Sequence, residues 1–361
     1  MQYNDYRRKT RKIKVGNRFV GGDAPIAVQS MTNLSSSDYE GLYAQMKALE
    51  AAGCDIVRMT VPDEEAVRTL HRLKSSDLTL PIVADIHFNY RLAVESAAAG
   101  ADKIRINPGN IGGEDRVKAV VTACRGAGIP IRIGVNGGSL EKELLAKYGS
   151  PTKEALAESA MTHIRLLEKY DFYDTIVAVK SSEVRTMIGA VRLLAERCDY
   201  PFHLGVTEAG TAKLGVLKSA AGIGGLLCDG IGDTIRISLT DDPVKEVEEG
   251  RALLRSLDLD PKSLVRIVSC PTCGRTKIDL IGIATALEER LNEVTVTKPL
   301  TVAVMGCAVN GPGEAREADV GIAGGSGEAL LFRRGEIVKK LPEDGVIEAL
   351  LAEIRTLGNP G

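Results

Sequence analysis

Between residues 26 and 256 the chain repeats one unit eight times, a short run rich in valine and isoleucine followed by a stretch patterned as a helix. The apolar runs are IAVQSMT (26–32), CDIVRMTV (54–61), PIVADI (81–86), KIRINP (103–108), IPIRIGVN (129–136), TIVAVKS (175–181), PFHLGVTE (201–208) and TIRISL (234–239). Helical stretches such as SDYEGLYAQMKALEAAG and SEVRTMIGAVRLLAERC lie between them. Strands that alternate with helices form a parallel sheet, because each parallel pairing needs a crossover. Eight such units over roughly 230 residues match a closed (β/α)8 TIM-type barrel. An open doubly wound sheet usually carries a glycine-rich phosphate turn after its first strand, and QSMTNLSSSD is not one. The segment GGSLEKELLAKYGSPT, between the fifth and sixth runs, breaks the period. An insert there reads equally as a lid or as a plain surface loop.

Beyond residue 257 the pattern changes. DLDPKSL reads as a linker, and then come the loop SCPTCGR, a helix-like IDLIGIATALEERLNEV and the strand TVAVMGC. A turn NGPGE, a strand ADVGIAGG, the hairpin ALLFRRGEIVKKL and a closing helix DGVIEALLAEIRTLG follow. The expected architecture is therefore a barrel domain over 1–256 and a smaller α+β domain over 257–361. A hydrophobic fraction of 44% and a charged fraction of 26% supply two cores and exclude a disordered chain. With 46 Lys+Arg against 48 Asp+Glu there is no basic footprint for nucleic acid. No apolar run approaches the ~18 residues of a membrane span. The start, MQYNDYRRKTRKIKVG, has no apolar core of a secretion signal and reads as a solvated basic segment, which points to the cytoplasm. Seven cysteines, an odd number without an export signal, favour reduced thiols used for metal or catalysis.

The strands carry charge where a barrel keeps its chemistry. Arg58, Asp85, His87, Arg105, Asn107, Arg132, Asn136, Lys180, Glu208, Arg236 and Ser238 all lie at or near the ends of the apolar runs. Residues two apart share a strand face, so Arg105 and Asn107, Arg132 and Asn136, and Arg236 and Ser238 each point one way. Ile104, Ile106, Ile133, Val135, Ile235 and Ile237 point the other way, to the helices. The polar set thus faces the barrel interior near its C-terminal mouth. Like charges gathered in one cleft repel unless an anion neutralises them. Diphosphate suits Arg58, Arg105, Arg132, Lys180 and Arg236, because Arg forks and a Lys point charge match phosphate oxygens. Asp85, Glu208 and His87 lie among them as candidates to handle protons or hydroxyls.

Cys270 and Cys273 form a C-x-x-C loop, and Cys307 ends a later strand. Cys54, Cys124, Cys198 and Cys228 read as small buried hydrophobes. A structural zinc site closes with four Cys or His ligands, and residues 257–361 contain no histidine. Three thiolates suit a 4Fe–4S cluster in which one iron differs. Glu314, across a Gly/Pro turn from Cys307, is the nearest fourth ligand, and a carboxylate on a soft site exchanges more easily than a thiolate.

The runs VQSMTN, ADIHFNYRLA, KIRINPGN, HLGVTEAG, SCPTCGR and GCAVNGPGE resemble those of the bacterial 4-hydroxy-3-methylbut-2-enyl diphosphate synthases, over essentially the whole chain. The resemblance implies an iron–sulfur oxidoreductase of the methylerythritol phosphate route to isoprenoids. It implies reductive ring opening and dehydroxylation of 2-C-methyl-D-erythritol 2,4-cyclodiphosphate. It implies a 4Fe–4S cluster on Cys270, Cys273, Cys307 and Glu314, a diphosphate set on Arg58, Arg105, Arg132, Lys180 and Arg236, and an acid/base carboxylate at Glu208. It implies an iron–sulfur domain similar to those of sulfite and nitrite reductases, and flavodoxin or ferredoxin as the electron donor. A homodimer with shared sites is expected from the family and from chain geometry. The last barrel helix runs antiparallel to the strands and carries the chain away from the mouth, so a partner's barrel is better placed to meet each cluster. Two other readings compete: a non-redox phosphate- or pterin-binding barrel transferase with a structural zinc module, and a zinc-held surface for RNA. The missing fourth soft ligand argues against both.

Overall fold

The computed structural model describes residues 3–261, 263–291, 294–307 and 317–359, and the chain divides into two compact units, Met1–Leu259 and Asp260–Gly361. The first opens with a hairpin, β1 (Ile13–Val15) and β2 (Arg18–Val20). Eight parallel strands follow: β3 (Ala27–Met31), β4 (Ile56–Thr60), β5 (Ile82–Asp85), β6 (Lys103–Ile106), β7 (Ile131–Asn136), β8 (Thr175–Lys180), β9 (His203–Leu204) and β10 (Thr234–Ile235). They pair in the order β8-β7-β6-β5-β4-β3-β10-β9. A bridge between Val177 and Phe202 joins β8 to β9 and closes the ring. The (β/α)8 barrel expected from the repeat is the fold observed. Ile104, Ile106, Ile133, Val135, Ile235 and Ile237 are buried in the layer between strands and helices, as their parity requires.

The hairpin was not foreseen. Ile13, Val15 and Val20 cluster with Ala27, Ile56, Val83 and Ile176, which are deep in the barrel at the amino ends of four strands. The bottom of the barrel is thereby plugged with apolar side chains, which leaves the carboxyl ends as its polar mouth. The basic start is not the solvated segment expected. Arg7 is buried, with Nη2 2.7 Å from Asp233 Oδ1, and Arg8 lies over the Phe202 ring at 4.1 Å. Asp233 Oδ2 also accepts from the Phe202 amide at 2.7 Å, so both oxygens of this buried carboxylate are engaged. Removing one partner of a buried pair costs about 3–5 kcal/mol. Asp233→Ala should therefore lower stability by that order in chemical denaturation, and a change within error would show that the pair holds nothing.

The insert after β7 forms a turn, Gly137–Ser139, and a helix, Lys142–Tyr148. It docks on the next helix, Lys153–Glu168: the Tyr148 hydroxyl donates to Glu158 at 2.6 Å, and Glu141 Oε1 lies 2.7 Å from His163 Nε2. Cys54 and Cys124 are buried, and desolvation pushes both thiols up to about 12. Cys228 is exposed instead of buried, because the short helix Gly225–Cys228 turns Leu226 and Leu227 inward.

The second unit is a five-stranded sheet, β11 (Val265–Ser269), β12 (Leu300–Met305), β13 (Val320–Gly325), β14 (Glu328–Arg333) and β15 (Glu336–Pro342), paired in that order. The first three strands are parallel and the last two form antiparallel pairs. Helices Leu280–Arg290 and Val346–Gly358 bury Leu287, Leu350 and Ile354 on one face, against Val302, Val304 and Ile322. Strand β11, between the linker and the cysteine loop, was not foreseen. Among the described residues no helix is long and apolar enough to cross a membrane.

Candidate active site

Pairing registers set the barrel mouth. Asp85 on β5 stands opposite Arg105 on β6, Arg105 opposite Arg132 on β7, and Asn136 on β7 opposite Lys180 on β8. Arg58 on β4 stands opposite Met31 on β3. Arg236 follows the two residues of β10 and continues its ladder, its amide donating to Leu204 O at 3.0 Å. Two glycines make room for these long side chains. A Cβ on Gly134 would lie 2.7 Å from Arg105 Nε, and one on Gly205 would lie 3.3 Å from Lys180 Nζ.

The five cations form one electrostatic group. Burial holds Lys180 well below the ordinary lysine range, and Arg58, Arg236, Arg132 and Arg105 each push it further. Arg132 is lowered by burial and then by Arg58 and Arg105. Arg58 is brought down to about 10 by burial, with Asp85 opposing and Arg236 and Arg105 adding to the fall. Two buried carboxylates answer this charge. Asp85 Oδ1 lies 2.8 Å from Arg105 and its Oδ2 3.5 Å from Arg58. Burial alone would raise Asp85, but Arg58, Arg105 and Arg132 outweigh it and hold the group at about 2. Asp85 is thus a permanent anion that fixes two arginines. The second carboxylate, Glu246, accepts from Arg236 Nε and Nη2 at 3.0 Å each and from Ser30 Oγ at 3.0 Å. It comes from the last barrel helix, Pro243–Ser256.

The remaining candidates rim this group. Asn107 is buried, caps the helix that follows it by accepting from Gly109 N at 3.1 Å, and donates to Ser139 Oγ at 3.3 Å. Asn136 and Ser238 are half-buried. His87 and Glu208 are exposed in the loops after β5 and β9. Glu208 has a φ of 52°, a left-handed conformation uncommon for a residue with a side chain and one that clusters at functional sites. The sequence reading missed the layer beneath the mouth. Gln29, Lys103 and His203 are fully enclosed, and Lys103 and His203 feel the charges of Arg58 and Arg132. The same two-residue parity that placed Arg105 places Lys103 on its face.

In the second unit, Cys270 follows β11 and Cys307 follows the neighbouring parallel strand β12. Cys270 Sγ accepts from the Gly306 amide at 3.2 Å, next to Cys307. Cys273 lies in the loop between, its amide donating to Thr276 Oγ1 at 3.1 Å. Hydrogen bonding from the Arg275 backbone lowers the Cys273 thiol, against a smaller effect of burial. Glu314 lies outside the described residues. Among the described residues no three His, Cys, Asp or Glu side chains converge as for a single metal ion. A four-iron cluster places each thiolate on a different iron and needs no such convergence. Two thiols at adjacent strand ends, one already receiving a backbone N–H, and a third in the loop between are a donor set of the right softness for it.

Two sequence profiles match the chain, the GcpE TIM-barrel domain over residues 10–251 and the GcpE protein C-terminal domain over residues 266–356. A Clostridium perfringens protein named 4-hydroxy-3-methylbut-2-en-1-yl diphosphate synthase (flavodoxin) is 54% identical over 351 residues, 97% of this chain and 99% of that one. One of the same name from Caldanaerobacter subterraneus subsp. tengcongensis is 56% identical over 351 residues, 97% of this chain and 98% of that one. The structure of a Plasmodium falciparum HPPK-DHPS variant with pterin and p-hydroxybenzoate superposes with a TM-score of 0.50 at 11% identity, covering 78% of this chain and 52% of that one. At that identity the likeness speaks for the barrel fold alone. Both units are matched, and relatives of one name share more than half of their residues with nearly the whole chain; the chain belongs to the GcpE family of 4-hydroxy-3-methylbut-2-en-1-yl diphosphate synthases.

Proposed function

We propose that the barrel mouth binds 2-C-methyl-D-erythritol 2,4-cyclodiphosphate and that the cysteine-bearing unit supplies the electrons for its conversion to 4-hydroxy-3-methylbut-2-enyl diphosphate. The conversion opens the ring at one C–O bond, removes one hydroxyl as water, and consumes two electrons and two protons. The observation that carries this reading is the excess of buried positive charge at the mouth, in a chain whose second unit has two thiols at adjacent strand ends and a third in the loop after the first of them. The non-redox transferase is not favoured, because the relatives' name is that of the reductive enzyme.

Arg58, Arg105, Arg132, Lys180 and Arg236 grip the diphosphate, and Asp85 and Glu246 hold the arginine forks toward it. Asn107, Asn136 and Ser238 orient the remaining oxygens. Glu208, with His87 across the mouth, delivers or withdraws protons, since Asp85 stays ionised between its arginines. Cys270, Cys273 and Cys307 hold a 4Fe–4S cluster, with Glu314 as the exchangeable fourth ligand. When bound, the cluster supplies single electrons and a Lewis-acidic iron. Flavodoxin, which the relatives' name carries, delivers the electrons.

The working unit in this reading is a head-to-tail homodimer. Within the barrel unit, Glu246 near the start of the last helix meets Arg236 at the mouth, whereas Arg251 meets Asp55, which precedes β4. That helix therefore carries the chain to the amino ends of the strands. Two chains whose clusters serve each other's barrels close a two-fold assembly. Mixing an Arg105→Met chain with a Cys270→Ser chain, each inactive alone, should restore partial activity. Subunit exchange without any recovery would return each cluster to its own barrel.

Protein purified without oxygen should be brown, contain iron and sulfide, and bleach with dithionite. A colourless protein with stoichiometric zinc contradicts the reading. Glu208→Gln should lower kcat much more than it raises KM, because the group acts on protons and not on the diphosphate. An unchanged kcat removes Glu208 from the mechanism.

A further inference from the structure

We propose that Lys103 is a proton-accepting floor of the anion site: its amine takes a proton from solvent when a diphosphate occupies the mouth, so that substrate binding and proton uptake are one event. The proposal rests on the reading of the mouth given above. Lys103 begins β6, two residues before Arg105 and on the same inward face, one level deeper in the barrel. It is 0% exposed, and its Nζ has no hydrogen-bond partner among the described residues. Its surroundings explain why. On β5 it stands opposite Val83, which offers no acceptor. The charged groups that face it are Arg132 on β7 and Arg58 on β4, both positive, with Arg105 two residues further along its own strand. His203 on β9 also lies within reach of its charge, with Nδ1 2.7 Å from Thr234 Oγ1 and Nε2 without a partner. Asp102, the adjacent acid, is committed elsewhere, to Lys74 Nζ at 2.6 Å and the Ile82 amide at 2.7 Å.

The lumen beneath the mouth thus holds donors that no acceptor meets. Gln29 Nε2 and Arg132 Nε are also buried without partners. A buried ammonium with neither acceptor nor counter-ion gives up its proton. Burial first, then Arg132 and Arg58, hold Lys103 well below the ordinary lysine range, with Asp102 opposing. A diphosphate one level above reverses the sign of the local potential and favours the charged amine. The free barrel then carries less internal repulsion than the loaded one can balance.

This has a sign that can be checked on the free protein. A lysine whose folded-state value lies below its unfolded one binds fewer protons when folded. Its contribution to stability therefore increases with pH, from the folded value up to the ordinary lysine value. Lys103→Met, which keeps the length and removes the amine, should flatten that slope and raise the thermal midpoint at neutral pH.

The direct test is calorimetric titration of the holoenzyme with the cyclodiphosphate at mildly alkaline pH, in buffers of different ionisation enthalpy. Wild type should take up a proton on binding. Lys103→Met should still bind and lose most of that uptake, and His203→Gln should keep it. A wild-type binding heat that does not depend on the buffer overturns the proposal without any variant. So does uptake that survives in Lys103→Met or disappears with His203→Gln. Absence of any binding by the wild type would instead refute the mouth as the anion site, and the present proposal with it.

Discussion

Replacing Cys270 with serine is expected to abolish turnover while leaving substrate binding by the barrel in place. The thiol sits at the end of β11, packs against the apolar clusters on both faces of the second sheet, and accepts from the Gly306 amide at 3.2 Å. Serine keeps the shape but replaces a soft, easily ionised ligand with a hard hydroxyl. With Cys273 and Cys307 the only other cysteines of the second unit, no soft ligand is left to take its place. The barrel has its own core, separate from that of the second unit, so its fold does not depend on the cluster. Iron and sulfide analysis, product formation and calorimetric binding would be measured on the same preparation. Wild-type iron content together with wild-type turnover would remove Cys270 from the cluster.

Arg132→Met is expected to separate stability from binding. Arg132 is among the largest fully buried side chains, yet its hydrogen bond to Gln29 Oε1 is a long one, 3.4 Å. The same guanidinium is repelled by Arg58 and Arg105, with Asp85 opposing them. Its removal therefore relieves the free protein of a buried, poorly answered charge, and stability should stay level or rise. Binding should move the other way. A charge-assisted contact to phosphate is worth roughly 1.5–3 kcal/mol, about one to two decades in affinity. Paired measurements of thermal midpoint and substrate affinity decide it. Loss of both together would make Arg132 a structural residue, and no loss of affinity would take it out of the anion site.

The barrel was legible because its signal is periodic: eight Val/Ile runs separated by helical stretches leave little room for another topology. The mouth was legible for a related reason, since alternation along a strand places Arg105 and Arg132 inward once Ile104 and Ile133 are placed outward. The same parity pointed to Lys103, which passed unnoticed because it begins its strand, well before the carboxyl end where chemistry is expected. Glu246 carried no comparable signal. It sits on a helix, and only tertiary structure brings it to Arg236. The hairpin β1–β2 was hidden because strands of three residues in a charged segment show too few alternations to count. Strand β11 was hidden by Arg266 in an otherwise apolar run, on an edge of the sheet where it is only partly covered.

The central claim, that a cationic barrel mouth and a three-thiol unit form one reductive enzyme, is tested most directly by a single balance. Oxygen-free protein with its iron intact would be given a known quantity of reductant and 2-C-methyl-D-erythritol 2,4-cyclodiphosphate, and the products counted. The account predicts 4-hydroxy-3-methylbut-2-enyl diphosphate, with two electrons consumed for each molecule formed. Iron-replete protein that binds the cyclodiphosphate but returns it unchanged, with the reductant unspent, would contradict it.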